Sequence, residues 1–247
     1  MNIEIKNAFI TKYEKYFPGC ELPIACYYSD NLNGVDFPDA PKPNKKRYTC
    51  IFSQLAAVRQ GKPRAFNQHN LGCFGANGML GFTTLEVDDE YVDFLVNVEK
   101  FRKNRELVEC MVKDNPNMTA PGKYLIFKRW DQLTETDNPQ VVFVFANADA
   151  IGGLHTLANF DYKTKDGVIS PFGSGCESLI SFAMKQVLSN SDKCVLGLFD
   201  PPARACIKKD LMTFSMPYPR LKDMLPNMDE CFLNTYIWEG IQRRMAK

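Results

Sequence analysis

Apolar positions change their period several times along the chain, and each change predicts an element. Residues 5–17 place Ile5, Phe9, Ile10, Tyr13 and Phe17 on one helical face, and Pro18-Gly19 ends it. The run at 23–28 (PIACYY) predicts a short strand, and the Asn, Asp, Pro, Gly and Lys of 30–48 predict a loop. Thr49 then caps a helix with Ile51, Phe52, Leu55, Ala56 and Val58 inward, which puts Cys50 in its first turn. Gly61-Lys62-Pro63 stops it. Residues 88–113 carry the longest apolar stripe, from Tyr91, Phe94, Leu95 and Val98 to Met111, with a break marked at Asn104-Arg105 and a stop at Pro116. Asp88, Asp89 and Glu90 suit the positive end of that helix.

The second half alternates strand and helix. Residues 124–127 predict a strand, and 141–146 (VVFVFA) read as a strand covered on both faces. A helix through Ala150, Leu154 and Leu157 follows, then a short strand at 168–170, a helix at 176–188 and a strand at 194–199. Residues 211–216 predict a strand, 221–225 one helical turn, and 229–245 an amphipathic C-terminal helix. This alternation predicts an α/β (mixed α+β) fold, with a central mixed sheet flanked by helices. No repeat or linker divides the chain, so residues 1–247 are expected to form one domain.

Composition narrows the function classes. The 247 residues are 45% hydrophobic and 24% charged with a net charge of +1, which gives no bulk charge for nucleic-acid binding. The one basic cluster, Lys42, Lys45, Lys46 and Arg47, sits among prolines and reads as a solvated loop. The first residues lack the apolar run of a secretory signal, and no apolar stretch approaches the roughly 20 residues that span a bilayer. The expectation is a cytoplasmic protein with no membrane or nucleic-acid partner and with a small-molecule ligand. A homo-oligomer is left open. Nine cysteines, an odd number in a chain of this length, do not suit a secreted disulfide framework.

Candidate chemistry gathers on glycine-flanked cysteines. In Gly173-Ser174-Gly175-Cys176-Glu177, Ser174 and Glu177 have capping-box spacing. Cys176 then falls in a helix first turn, where N–H groups and the helix dipole favour a thiolate. Gly173 and Gly175 would let a ligand reach the backbone. Cys73 lies in a segment where glycine recurs at every third position, Gly72, Gly75, Gly78 and Gly81, so one side of it lacks side chains. The alternatives are a tight turn around a buried cysteine and a packed loop. No Cys-x-x-Cys occurs, so metal binding has no local spacing to support it. Cys50, Cys73 and Cys176 would have to converge in space to hold zinc or an iron–sulfur cluster. His69 and His155 are the only histidines, and His69 is read as a base or ligand beside Cys73. Arg204, just after a strand, would clamp an anion or pair with Asp200.

The order of these segments resembles a known family. A helix opening at Cys50 and ending near Arg59-Gln60-Gly61-Lys62 is followed by Leu71-Gly72-Cys73-Phe74-Gly75-Ala76 with Leu80-Gly81. Then come VVFVFANADA, Gly175-Cys176-Glu177, the stretch 198–204 and Met216-Pro217 with Leu221. Over roughly residues 20–226 this looks like the domain of unknown function 169 family. The resemblance implies that Cys50, Cys73 and Cys176 occupy the family's cysteine positions, and it carries no established activity. The insert at 30–48 and the helix beyond 226 depart from the family pattern. Three readings follow: a metal or redox-cofactor protein built on the three cysteines, an enzyme with Cys176 as nucleophile, His69 or His155 as base and Arg204 holding an anionic substrate, and a non-catalytic small-molecule binder.

Overall fold

The computed structural model describes residues 1–41, 49–114 and 118–246. The basic cluster at Lys42, Lys45, Lys46 and Arg47, and Pro116, lie outside the described residues.

Seven strands form one mixed sheet: β1 (Ile24–Ser29), β2 (Arg64–Phe66), β3 (Tyr124–Arg129), β4 (Val141–Ala146), β5 (Val168–Ile169), β6 (Cys194–Gly197) and β7 (Met212–Pro217). Their order is β2-β3-β1-β4-β7-β6-β5. Neighbours run antiparallel except β5 and β6, which are parallel. The α/β expectation is met. Every residue of the central strand β4 is buried, as its unbroken apolar run predicts. Val141, Phe143 and Phe145 enter the core on one face, and Val142, Val144 and Ala146 enter the core on the other. The two-residue period of a strand thus divides one sequence run between two cores.

On the second of these faces pack the helices Ile3–Tyr16, Ala148–Ala158, Tyr218–Glu230 and Tyr236–Met245. Trp238 anchors the last of them. Its Nε1 donates to the Tyr16 carbonyl at 2.9 Å, and its ring meets Phe17 edge-on at 5.6 Å. On the first face lie the helices Ile51–Gln54, Ala56–Arg59, Phe74–Met79, Phe182–Leu188 and Pro201–Arg204.

Several elements differ from expectation. β2 has no counterpart among the predicted elements, because three residues carry no period, and its pairing with β3 makes it a strand. The turn at 221–225 extends into the helix Tyr218–Glu230, whose buried stripe also takes in Met228. The C-terminal helix begins at Tyr236, after a 3-10 turn at Phe232–Asn234. The stripe at 88–113 does not form one helix. Asp88 caps Asp89–Asp93 by accepting the Tyr91 N–H at 2.7 Å, and a π turn follows at Phe94–Val98. The chain then loosens, with Lys100 at φ 53°, and Arg105–Asp114 starts anew after Asn104, which accepts the Leu107 N–H at 3.0 Å. The break at Asn104-Arg105 is where the sequence places it. These helices form a cap with a small core of its own, made of Tyr91, Val92, Leu95, Val108 and Met111. Among the described residues no helix is long and apolar enough to cross a membrane.

Candidate functional site

The first face of the sheet does not close fully under the cap. A cavity of about 660 Å³ lies between them, within the size range of small-molecule sites. Cys50, Cys73 and Cys176 all line it. Cys50 precedes the helix Ile51–Gln54 in extended backbone, one residue earlier than Thr49 capping would place it. Cys73 does the same for Phe74–Met79. Cys176 sits in the opening turn of the helix that runs through a π turn at Glu177–Ser181 into Phe182–Leu188. A second π turn, Phe94–Val98, forms part of the opposite wall. Such turns are often found at functional sites.

The capping box forms as the sequence predicts. The Glu177 carboxylate accepts the Ser174 N–H at 2.6 Å, and Ser174 Oγ accepts the Glu177 N–H at 3.4 Å. The buried Asp200 accepts the Gly175 N–H at 2.8 Å. The helix start is therefore occupied by the protein's own carboxylates, and it is not an open anion site.

This arrangement overturns the thiolate expectation for Cys176. Its side chain is 8% exposed, with Sγ 3.2 Å from Ser174 Oγ and 3.6 Å from Met79 Sδ. Burial pushes its thiol well above the ordinary value, and the nearby Cys73 and Glu177 add to that. Desolvation of the charged form outweighs the dipole of the short helix start. Burial likewise pushes Cys50 up to about 12, with Phe52's N–H working against it. It raises Cys73 too. Asp200 and Glu177 are raised by burial as well.

The other residues singled out in the sequence are placed as follows. Gly75 borders the cavity, and a Cβ there would meet only Cys73 Sγ, at 3.9 Å. Gly175 also lines it, while its Cα packs so tightly that a Cβ would stand 2.4 Å from Ala203. Gly72 and Gly173 serve packing, against Thr49 and against Phe182 with Glu177, and neither lines the cavity. His69 is exposed outside the cavity, with its ring 3.4 Å from the Gln68 amide. His155 is exposed on the helix Ala148–Ala158, which packs on the other side of the sheet. Neither histidine can act as base on Cys176 from there. Arg204 neither lines the cavity nor pairs with the Asp200 carboxylate. Its guanidinium donates to the Leu211 and Lys209 carbonyls and holds that loop. Among the described residues, no group of three or more His, Cys, Asp or Glu side chains is arranged to hold a metal ion.

Sequence reasoning missed the cap wall and the floor. Tyr91, Phe94, Leu95, Val98 and Phe101 line the cavity, so the stripe read as a packing face is largely a cavity wall. Asp200 and Met79 complete the floor. The lining residue Phe101 stacks on Phe172 at 4.8 Å, and the Arg102 guanidinium lies 4.5 Å above the Phe172 ring. Phe74, 55% exposed, meets Tyr91 at 6.3 Å. The available signal was the apolar stripe itself, which has no matching stripe nearby in the sequence.

No curated protein and no solved structure matches the chain. The family model of the domain of unknown function 169, described as uncharacterised ArCR, matches residues 21–227, and with most of its length matched the chain belongs to that family.

Proposed function

We propose that this protein binds a small molecule in the cavity between the sheet layer and the helical cap. Cys50, Cys73, Cys176, Gly75 and Gly175 are contact residues. The observation that carries the reading is that segments around residues 50, 73, 94, 176 and 200, distant in sequence, line one cavity of about 660 Å³. Non-catalytic binding is favoured over thiol catalysis because all three thiols are raised by burial and so stay protonated near neutral pH. An activated cysteine needs a base or a lowered pKa. Nine free thiols suit a reducing compartment, and on that ground we place the protein in the cytoplasm.

A neutral, environment-sensitive dye such as Nile red tests the reading. It is expected to bind saturably at one site. Gly75→Leu, at a lining position where a Cβ meets nothing nearer than Cys73 Sγ at 3.9 Å, is expected to abolish binding while circular dichroism stays unchanged. A folded wild type that binds no dye, or binding that survives Gly75→Leu, overturns the reading.

A metal or redox cofactor is the second reading, favoured by the sulfur-rich wall of Cys50, Cys73, Cys176 and Met79. Iron or zinc stoichiometric with anaerobically purified protein, and lost in Cys73→Ala, would establish it over the first.

A further inference from the structure

The cavity floor holds a carboxylate in a fixed position. Asp200 lines the cavity and is 8% exposed. It stands at the start of the helix Pro201–Arg204. Its Oδ2 accepts the Gly175 N–H at 2.8 Å, and the Ala203 N–H also favours its charged form. Gly175 is held in turn, because a Cβ there would stand 2.4 Å from Ala203 and 2.7 Å from the Phe52 ring. Two N–H groups do not exhaust a carboxylate, whose oxygens offer about four acceptor positions. After burial, the charge of Asp200 adds to the rise of the Cys50 and Cys73 thiols, which line the same cavity. Much of the remaining lining is apolar, with Ile51, Ala76, Met79, Leu95 and Met111 among it. A ligand that covers such an acceptor without offering it a donor strips its water for no return, which costs affinity. A fixed polar group in a largely apolar pocket therefore selects among ligands.

From the cavity's size and the fixed carboxylate at its floor, we infer that Asp200 sets ligand choice. The ligand is an apolar molecule that carries an N–H or O–H group and donates it to Asp200. This rests on the binding reading above and names the polar contact within that site. The thiols of Cys50, Cys73 and Cys176 are weak donors and acceptors and do not compete for this role.

Displacement of Nile red from the full chain by two pairs of isomers tests the assignment. 3-Methylindole carries an N–H that is capped in 1-methylindole, and 4-ethylphenol an O–H that is capped in 4-methylanisole. Within each pair the donor is expected to displace at about tenfold lower concentration. Asp200→Asn, which keeps a carbonyl for the Gly175 N–H and loses the charge, is expected to cut that ratio to about twofold or less and leave the capped isomers no weaker. Asp200→Ser, which keeps a helix-capping side chain, is expected to do the same and serves if Asp200→Asn does not fold. A preference in a single pair that these variants remove supports the assignment and narrows the donor to N–H or O–H. Equal displacement within both pairs, failure of all four compounds to displace bound dye, or a donor preference that survives substitution in folded protein overturns it. If Nile red itself fails to bind, the binding reading falls first. If it binds saturably and the isomers compete equally, only the Asp200 assignment falls.

Discussion

The two faces of the sheet use glycine in opposite ways. On the closed face Gly153 makes room for Trp238: a Cβ there would lie 2.3 Å from the indole ring, so the missing methyl is filled by a neighbour. On the open face Gly75 leaves its space empty, and a Cβ would touch nothing nearer than Cys73 Sγ at 3.9 Å. The closed face fills that position with a neighbour, and the open face borders a cavity of about 660 Å³. Unfilled apolar volume costs dispersion contacts, and the binding proposal rests on the face that keeps it.

Substitutions at the two glycines and their partners would break this contrast if it is wrong. Trp238→Ala is expected to cost about 4 kcal/mol in urea unfolding, through the lost indole and its hydrogen bond to Tyr16. Gly153→Ala is expected to cost about 2 kcal/mol by overpacking, and much less in a Trp238→Ala background, because the two share one space. Additive effects would mean that the indole and the glycine do not meet.

The thiols sharpen the contrast through pH. Cys50 ionises near 9.0 when unfolded and is raised to about 12 when folded. Above 9.0 the unfolded chain releases the proton that the folded chain keeps, so stability falls as pH rises. For this thiol the slope is about 1.4 kcal/mol per pH unit across that window, with nothing lost below it. Denaturation midpoints measured from pH 7 to 10.5 should fall above pH 9, and less steeply in Cys50→Ala. A stability that rises through this window would place an ionised thiol in the folded cavity.

At the small end stand two changes on the open face. Gly75→Ala is expected to gain about 1 kcal/mol from helix propensity, the reverse sign of Gly153→Ala. Thermal melts of the pair would show it. Phe172→Ala removes the stack on the lining residue Phe101 and the contact with Arg102. The expected cost is about 0.5 kcal/mol of global stability, since the ring is 51% exposed, together with a several-fold rise in the alkylation rate of buried Cys176. Mass spectrometry would follow that rate against exposed Cys110, and an unchanged ratio would mean that this stack does not control access.

The sheet and its helices were largely legible because their signals are local. β4 announces burial on both faces by its own composition, and Ser174 with Glu177 announces a helix start by its own spacing. β2 was not legible, since three residues acquire a strand's character only by lying beside β3. The cap was half legible. Asp88, Asn104 and the apolar stripe were visible, but a stripe looks alike whether it faces a core or a void. Arg204 and His69 show the limit most clearly. Their residue types suggested anion binding and base catalysis, yet the folded chain turns Arg204 onto carbonyls at 209 and 211 and leaves His69 in solvent.

The sequence by itself determined the α/β alternation, the doubly covered central strand and the helix start at Cys176, while the grouping of the three cysteines came from the family resemblance. The first three rest on period, capping chemistry and turn residues, which act within a few positions of one another. Only the tertiary structure decided that the three thiols share one cavity and that burial raises all of them. Desolvation and charge crowding depend on which distant segments meet, and no local pattern carries that information.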